Sequence, residues 1–158
     1  MSYLDDLIAK CKLAKKAEPI TKFIMEEPKN LDDLNVLNKM KSAIYIIREI
    51  EGDPEETFSK LKAYKEDKKR ACPKINEPSR ILYVGSSTTN LKNRIKQHMG
   101  WGPSKTYALH LKHWFNHNSI EIEILGYEVE PQILLLIEDA LAYELQPAFG
   151  KRGGNINS

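Results

Sequence analysis

Three short runs rich in β-branched and aromatic residues constrain the fold of this chain most. They read AIYIIREI (43–50), RILYVG (80–85) and IEIEILGYEV (120–129). The first two are short and rich in Ile and Tyr, which favours strands over buried helices, and the third alternates apolar and polar residues as a strand with one buried face does. The sequence therefore predicts a sheet of three strands.

Helical patterns occupy the segments around these runs. Helices are predicted over about 54–70, over about 90–99 after the turn SSTTN, and over about 104–116. Pro131 suits the first position of a last helix that ends near residue 145. Helices segregated around three strands indicate an α+β fold, a small α/β sandwich with a central antiparallel or mixed sheet.

The first 41 residues read as short helices and are predicted to form an N-terminal helical arm. The piece ITKFIMEE (20–27) is interpreted as helical, and Asn30 as the cap of a further short helix. Residues 42–158 then form the main domain, with a helical insert at about 52–79.

Composition narrows the class of protein. The chain has 158 residues, of which 41% are hydrophobic and 29% charged, as in ordinary soluble domains. No apolar run approaches the roughly 20 residues of a membrane span, and the first ten residues lack a secretory signal, so we expect a cytoplasmic protein without a membrane partner. Cys11 and Cys72 are isolated, which predicts free thiols.

The net charge of +2 does not reveal a partner, but the distribution of charge does. Residues 60–70 hold six Lys or Arg against two acids, and residues 91–98 hold three more and no acid. Local basic clusters can hold phosphates, although a solvated helix face explains a charge run equally well. The candidate phosphate contacts outside the first cluster are Lys92, Lys96, Lys151 and Arg152.

Two ionisable residues fall on an apolar face of the helix predicted over 90–99. Arg94 and His98 follow Leu91 at i+3 and i+7, with Ile95 at i+4, so helical periodicity places all four side by side. Structural ion pairs outnumber catalytic arginines, so this position alone leaves the role of Arg94 open.

Glu138 lies within the apolar stripe of the last helix, four residues after Leu134 and three before Leu141. An ionised carboxylate at such a place costs several kcal/mol unless a cation or hydrogen bonds meet it. Three explanations remain open at this point: a buried salt bridge, a position at the edge of the stripe, or a metal ligand.

Tyr45 and Tyr83 occupy comparable points of two predicted strands. A single tyrosine in a strand is usually a packing residue. If the two strands pair, however, the two hydroxyls come to lie on one face near each other.

These features together resemble the GIY-YIG nuclease family over roughly residues 42–155. The first family motif reads AIY (43–45) here and the second reads YVG (83–85). The family then has a helix with an arginine about ten residues on, matched by Arg94, and a histidine or tyrosine one turn later, matched by His98.

The later part of the family pattern is an acidic residue on a late helix with a proline about nine residues on. Glu138 and Pro147 keep that spacing. The chain departs from the family in having Ala43 as the first motif residue and in placing the two tyrosines 38 residues apart. The asparagine that often follows the proline is absent, since Gly150 stands there, and Asn155 is the nearest candidate.

The resemblance implies hydrolysis of phosphodiester bonds with Mg²⁺ (or Mn²⁺) held by Glu138. Tyr45 is then the general base or relays its proton, and Tyr83 positions the attacking group. Arg94 grips the non-bridging phosphate oxygens, and His98 orients the nucleophile or shares its proton.

The substrate implied is double-stranded DNA, cut by a sequence-specific, restriction-type enzyme. Such enzymes often act as homodimers that cut both strands of a symmetric site. Repair and mobile-element nucleases use the same core, and a non-catalytic nucleic-acid-binding module or a protein-interaction domain are the alternatives from other classes.

The predicted helix 104–116 adds substrate contacts. His110 and His113, with His117 beyond, are spaced for a zinc site, but no cysteine or acid completes it, so we expect these histidines to line a surface or a substrate groove. Tyr107 lies near them and is a candidate for stacking on bases.

Overall fold

The computed structural model describes residues 2–115 and 119–154. It is an α+β protein with one antiparallel sheet in the strand order β1-β4-β2-β3. The strands are β1 (Thr21–Glu26), β2 (Ala43–Glu49), β3 (Ile81–Ser87) and β4 (Ile120–Gly126). The helices are α1 (Tyr3–Lys16), α2 (Pro54–Glu66), α3 (Leu91–Met99) and α4 (Pro131–Leu145), with 3₁₀-helices at Leu31–Leu37 and Leu111–His113.

The sheet has four strands in the described residues, so the prediction of three was wrong. The fourth is β1, in the segment interpreted as a helix from its sequence. Its side chains alternate, with Phe23 and Met25 half-buried and Lys22, Ile24 and Glu26 exposed, as in a strand with one covered face. Pairing with β4 over the whole length of β1 outweighs any local helical preference.

Both faces of the sheet are covered. On one face, α3 and the two 3₁₀-helices pack over the side chains of Tyr45 and Ile47. On the other face, α1 and α4 pack over Ile44, Ile46 and Val84. This alternation along β2 explains why the strand is buried on both sides.

The insert between β2 and β3 is part of the core. Helix α2 begins with Pro54 at its first turn and a capping Asp53, and it ends at Glu66, four residues before the predicted end. Leu61 is fully buried, so the insert packs against the domain while β2 and β3 pair as direct neighbours.

The prediction of a helix over 104–116 was wrong. Residues 104–110 form turns and extended segments, and only Leu111–His113 is helical, as a 3₁₀ turn. His110 has a φ of 52°, a left-handed conformation that ends helical continuity. Ala108, Leu111 and Phe115 are buried, although in a folded-over loop and not on one face of a helix.

The outer edge of β3 is covered by the segment that follows α4. Ala148 N–H donates to Ile81 O (2.8 Å) and Phe149 N–H to Leu82 O (3.1 Å). Asn76 Nδ2 fastens the same segment through the carbonyl of Gly150 at 2.9 Å. The described part of the chain contains no helix long and apolar enough to cross a membrane.

The two cysteines are free thiols, as predicted. Cys11 is exposed on α1, and Cys72 is buried beneath α2 and α3, where burial raises the pKa of its thiol.

Candidate active site

Gly85 leaves the space that the Tyr45 ring occupies in the site. The two residues are directly opposite each other in the β2–β3 ladder. A Cβ at position 85 would lie 2.4 Å from Tyr45 Oη and 2.8 Å from Tyr83 Cε1. Because no side chain fits there, the glycine of YVG lets the two tyrosines lie over the strand.

The two tyrosines share one face of the sheet, as the strand pairing predicts. Their rings are nearly parallel, with centroids 6.0 Å apart. Gly150, at a φ of 86°, passes so close to Tyr83 that a Cβ there would lie 2.7 Å from Cε2. The glycine that stands where the GIY-YIG pattern often has an asparagine therefore closes the site over Tyr83.

Arg94 connects the tyrosines. Its Nε–H donates to Tyr45 Oη and its Nη2–H to Tyr83 Oη, each at 3.2 Å. Nη1 donates to Gln97 Oε1 and to the carbonyl oxygen of Tyr107, each at 2.9 Å. Asn90 caps the start of α3, so the helix that carries Arg94 is fixed relative to the end of β3.

His98 lies one turn further along α3 and is fully buried. Leu109 N–H donates to His98 Nδ1 at 3.2 Å, so in the neutral ring the proton is on Nε2 and is donated to Tyr45 Oη at 2.9 Å. Burial, and then the charges of Arg94 and His110, lower the pKa of His98 well below 6.5. His98 is therefore a neutral donor to Tyr45.

Tyr45 Oη thus accepts two hydrogen bonds from nitrogen donors, which occupy both of its lone pairs. Burial raises the pKa of Tyr45 strongly, the neighbouring Tyr83 raises it further, and Arg94 lowers it. The two donors favour the phenolate and burial opposes it, while the hydroxyl proton points away from both donors.

Glu138 projects from α4, on the other side of β3. Burial raises the pKa of its carboxyl group above 4.5, while Lys151 and a hydrogen bond with Ser86 lower it. The charge of Glu138 acts on Tyr45, and that of Arg94 acts on Glu138. The carboxylate therefore lies within electrostatic range of Tyr45 and Arg94, although it projects from the helix on the other side of β3.

The metal-ligating side chains near Glu138 determine which metal ion could bind there. In the described ranges there is no group of three His, Cys, Asp or Glu side chains that could hold a metal ion. Asp139 is turned away and accepts from Gly154 N–H at 3.0 Å. A single carboxylate suits a hard cation that keeps water and phosphate ligands, such as Mg²⁺ or Mn²⁺, and does not suit zinc.

The predicted substrate contacts separate into two groups. Tyr107 is 71% exposed while its carbonyl is held by Arg94, and Lys151 and Arg152 are exposed near the end of α4. Lys92 Nζ donates to Asn35 Oδ1 at 2.8 Å, which ties α3 to the first 3₁₀-helix. Lys96 is half-buried on α3.

His110 does not line a surface, contrary to the prediction. It is fully buried, and its Nε2 lies 2.8 Å from Thr106 O and 3.0 Å from Ala71 O. It therefore fastens the loop before Leu111 to the end of the insert. Asn155 and His117 lie outside the described residues.

Three partners of the site were missed from the sequence. Gln97 follows Arg94 by three residues on α3, so helical spacing carried a signal for it. Ser86 follows the YVG motif directly and meets Glu138 only because α4 crosses the end of β3. The Leu109 amide that orients His98 has no sequence signal, because any residue supplies an N–H.

No family model, no curated protein and no solved structure matches this chain. The protein is therefore described from its own fold and site. It is an α+β domain with an Arg–Tyr–Tyr–His hydrogen-bonded cluster and a carboxylate at the end of β3.

Proposed function

We propose that this chain is a metal-dependent endonuclease that hydrolyses phosphodiester bonds in DNA. The observation that carries the proposal is the bridge made by Arg94, whose Nε–H and Nη2–H bind the hydroxyls of Tyr45 and Tyr83. These three residues belong to the sequence pattern that resembles the GIY-YIG family, and the hydrogen bonds between them support the proposal.

The chain's own residues supply a base and a cationic anchor. Hydrolysis forms a bond from a water oxygen to phosphorus, breaks the bond from phosphorus to the leaving oxygen, and moves a proton from the water to a base. Tyr45 would act as that base as the phenolate, after its own proton has left to solvent. Because burial raises the pKa of Tyr45, the N–H groups of Arg94 and His98 and a cation held by Glu138 would have to stabilise the phenolate together. The Arg94 guanidinium also lies where it can attract the negative charge of a phosphate.

His98 does not share a proton in this scheme. Because its Nδ1 accepts from a backbone amide, its Nε2 is a donor and cannot take the proton of Tyr45. Its role is to position the Tyr45 oxygen. Of the two roles expected for His98, orientation is the one that this geometry supports.

Glu138 would hold Mg²⁺ or Mn²⁺, which would supply Lewis-acid polarisation of a phosphoryl oxygen. Burial disfavours the ionised carboxylate, and Lys151 and Ser86 offset this only in part, so a bound cation would stabilise the charge further. Lys151 acts on the same carboxylate and lies on the exposed surface, where it can meet a phosphate of the substrate.

A groove of about 700 Å³, lined by three cations and by Asp32, would give the substrate a path away from the site. It adjoins Arg94 through the loop after α3, since a Cβ on Gly102 would lie 3.0 Å from Gln97 Cγ. Three cations and an indole can bind phosphates and a base or sugar. These four groove residues are Lys29, Arg70, Trp101 and Lys112.

Within the nucleases we favour a restriction-type enzyme that reads a short duplex sequence. The insert contributes Arg70 to the groove. The loop before the second 3₁₀-helix carries the exposed Tyr107, whose carbonyl oxygen accepts from Arg94. Chain-specific elements therefore surround the motif residues, as selective recognition of DNA needs.

The proposal is tested with supercoiled plasmid and Mg²⁺ or Mn²⁺. We expect the parent to cut, and Glu138→Ala and Arg94→Ala to lose at least about a hundredfold in rate. Glu144→Ala, on the exposed face of α4, and Arg80→Ala, on the surface before β3, are the matched controls and should cut normally.

Two results would contradict the proposal. One is a parent that cuts neither DNA nor RNA with any divalent metal. The other is site variants that cut like the parent. Metal-independent DNA binding that survives Glu138→Ala, without cleavage, would instead support a non-catalytic binding module.

A further inference from the structure

The outer edge of β1 presents an unused strand. Among the described residues β1 pairs with β4 alone, so its second row of backbone groups faces outward. Ile24, at the middle of this edge strand, is 57% exposed. An edge strand with an exposed apolar centre is a template for pairing with another strand.

The sequence of β1 complements itself in one register. We propose that β1 pairs antiparallel with β1 of a second copy of this chain, about a two-fold axis at Ile24. Ile24 then faces its own equivalent, and Phe23 faces Met25 of the other copy on either side. Apolar cross-strand pairs of this kind stabilise antiparallel sheets.

The charged residues of β1 select the same register. Lys22 lies opposite Glu26 of the second copy, and Glu26 opposite Lys22, so two ion pairs form at the ends of the strand. Within one chain Lys22 Nζ lies 3.7 Å from Glu123 Oε2, and an ammonium group with three donors can meet both carboxylates.

Neighbouring registers lack this match. An axis at Phe23 sets Lys22 against Ile24, and an axis at Met25 sets Ile24 against Glu26. Both place a charge against an apolar side chain. The charge and apolar pattern of TKFIME therefore specifies a second copy of this chain as the occupant of the edge.

The pairing joins the two sheets into one of eight strands. An axis perpendicular to the sheet keeps its faces, so both Tyr45 clusters lie on the same face. Five strand spacings separate the two β2 strands, which is about 24 Å. This arrangement does not depend on the proposed function.

The contact is small, so self-association should be weak. Pairing of six residues at an edge buries less than the roughly 1,200 Å² of a standard stable interface. We expect a dimer that forms in the micromolar range.

Sedimentation velocity over micromolar concentrations tests the proposal. The parent should move from 18.1 kDa toward twice that mass. Lys22→Glu and Glu26→Lys each set like charges at both ends of the strand and should raise the dissociation constant about tenfold or more. Val36→Lys, at an exposed apolar position outside the sheet, is the control and should behave as the parent.

Mixing the two charge variants gives the decisive result. Every ion pair is complementary in a mixed dimer, so an equimolar mixture should form a 1:1 heterodimer as tightly as the parent dimerises. Ile24→Lys, which puts like charges on the axis, should abolish dimers. Circular dichroism verifies the fold of each variant.

The proposal is overturned by a parent that stays monomeric at every concentration. It is also overturned if the β1 variants dimerise like the parent, or if the mixture fails to associate where the parent does. Association of the parent that only Val36→Lys disrupts would assign the interface elsewhere.

Discussion

At the scale of single residues, the oxygen of Tyr45 is the most constrained atom of the site. Arg94 and His98 both donate to it, and the ring rests on Gly85. The amide of Leu109 fixes the ring nitrogen through which His98 donates. The backbone N–H of Leu109 thus determines which ring nitrogen of His98 carries the proton that is donated to Tyr45.

Gly85→Ala tests the close approach of Tyr45. The new Cβ would overlap the phenol oxygen and ring of a fully buried side chain, so Tyr45 must shift and its bonds to Arg94 and His98 must lengthen. Overpacking of this kind should lower the free energy of unfolding by about 1–3 kcal/mol. Urea denaturation measures the loss, and plasmid cleavage should fall in parallel.

Gly126→Ala is the matched control, because a Cβ there would meet the mobile end of Met40 at 2.9 Å and leave the tyrosines alone. A Gly85→Ala protein that is as stable and as active as the parent would show that Tyr45 is not held as described.

Glu138→Gln tests the buried carboxylate through pH. Burial raises the pKa of Glu138 in the folded protein above its ordinary 4.5, so the ionised form opposes folding. Below pH 4.5 the group is protonated in both states and costs nothing. The cost grows as the pH rises through the raised pKa and is constant above it. Without metal, Glu138→Gln should therefore be the more stable protein at pH 7 and should equal the parent at low pH.

Chemical denaturation at several pH values measures this difference, with Glu144→Gln as the control on the exposed face of α4. Added Mg²⁺ should stabilise the parent and not Glu138→Gln, because only the carboxylate binds the ion. A parent that is more stable than Glu138→Gln at neutral pH without metal would contradict the inferred cost.

At the scale of elements, local sequence signals predicted a helix correctly where its capping residues and its apolar stripe are both present. Helix α3 begins after Asn90 and ends at Gly100, and α4 begins at Pro131, as the sequence predicts. The positions of Arg94 and Glu138 followed from the same periodicity, because a charge on an apolar face is visible before the fold is known.

The elements that the sequence predicted wrongly take their conformation from partners that are distant in the sequence. Strand β1 is short and half-exposed, and its pairing with β4, about a hundred residues later, determines its conformation. The segment before Leu111 has helical spacing, yet the hydrogen bonds of the buried His110 to Ala71 and Thr106 fold it into a loop. The contact of Ser86 with Glu138 likewise needs the crossing of α4 over β3, which no local pattern encodes.

At the scale of the whole molecule, charge is distributed unevenly although the net value is only +2. The groove beside the loop after α3 brings together basic residues from the N-terminal segment, the insert and the second 3₁₀-helix. Of the basic cluster at 60–70 only Arg70 lines the groove, and no local pattern in the sequence shows a surface assembled from three distant segments.

The salt dependence of DNA binding should show whether this groove contacts phosphates. Each phosphate contact contributes about 0.9 to the slope of log K against log salt, so Arg70→Ala and Lys112→Ala should each reduce the slope by about one. Trp101→Ala should weaken binding with little change in slope, because stacking releases no counterions. Fluorescence anisotropy with a labelled duplex, in the cleavage-deficient Glu138→Ala background, measures both effects without cleavage.

Lys12→Ala, on the exposed surface of α1, is the control for this series and should leave the slope unchanged. If all the lysine and arginine variants retain the parental slope, the groove does not contact phosphates.

The covered edge of β3 has a consequence for the size of any assembly. The segment from Ala148 to Gly150 binds the carbonyls of Ile81 and Leu82 at the start of that edge, where Phe149 also bridges to Ile75. A sheet whose β3 edge is partly covered and whose β1 edge is open adds a neighbour most readily at β1. Joining two β1 edges leaves the two partly covered β3 edges on the outside, which disfavours growth beyond a pair and the unlimited stacking that leads to fibres.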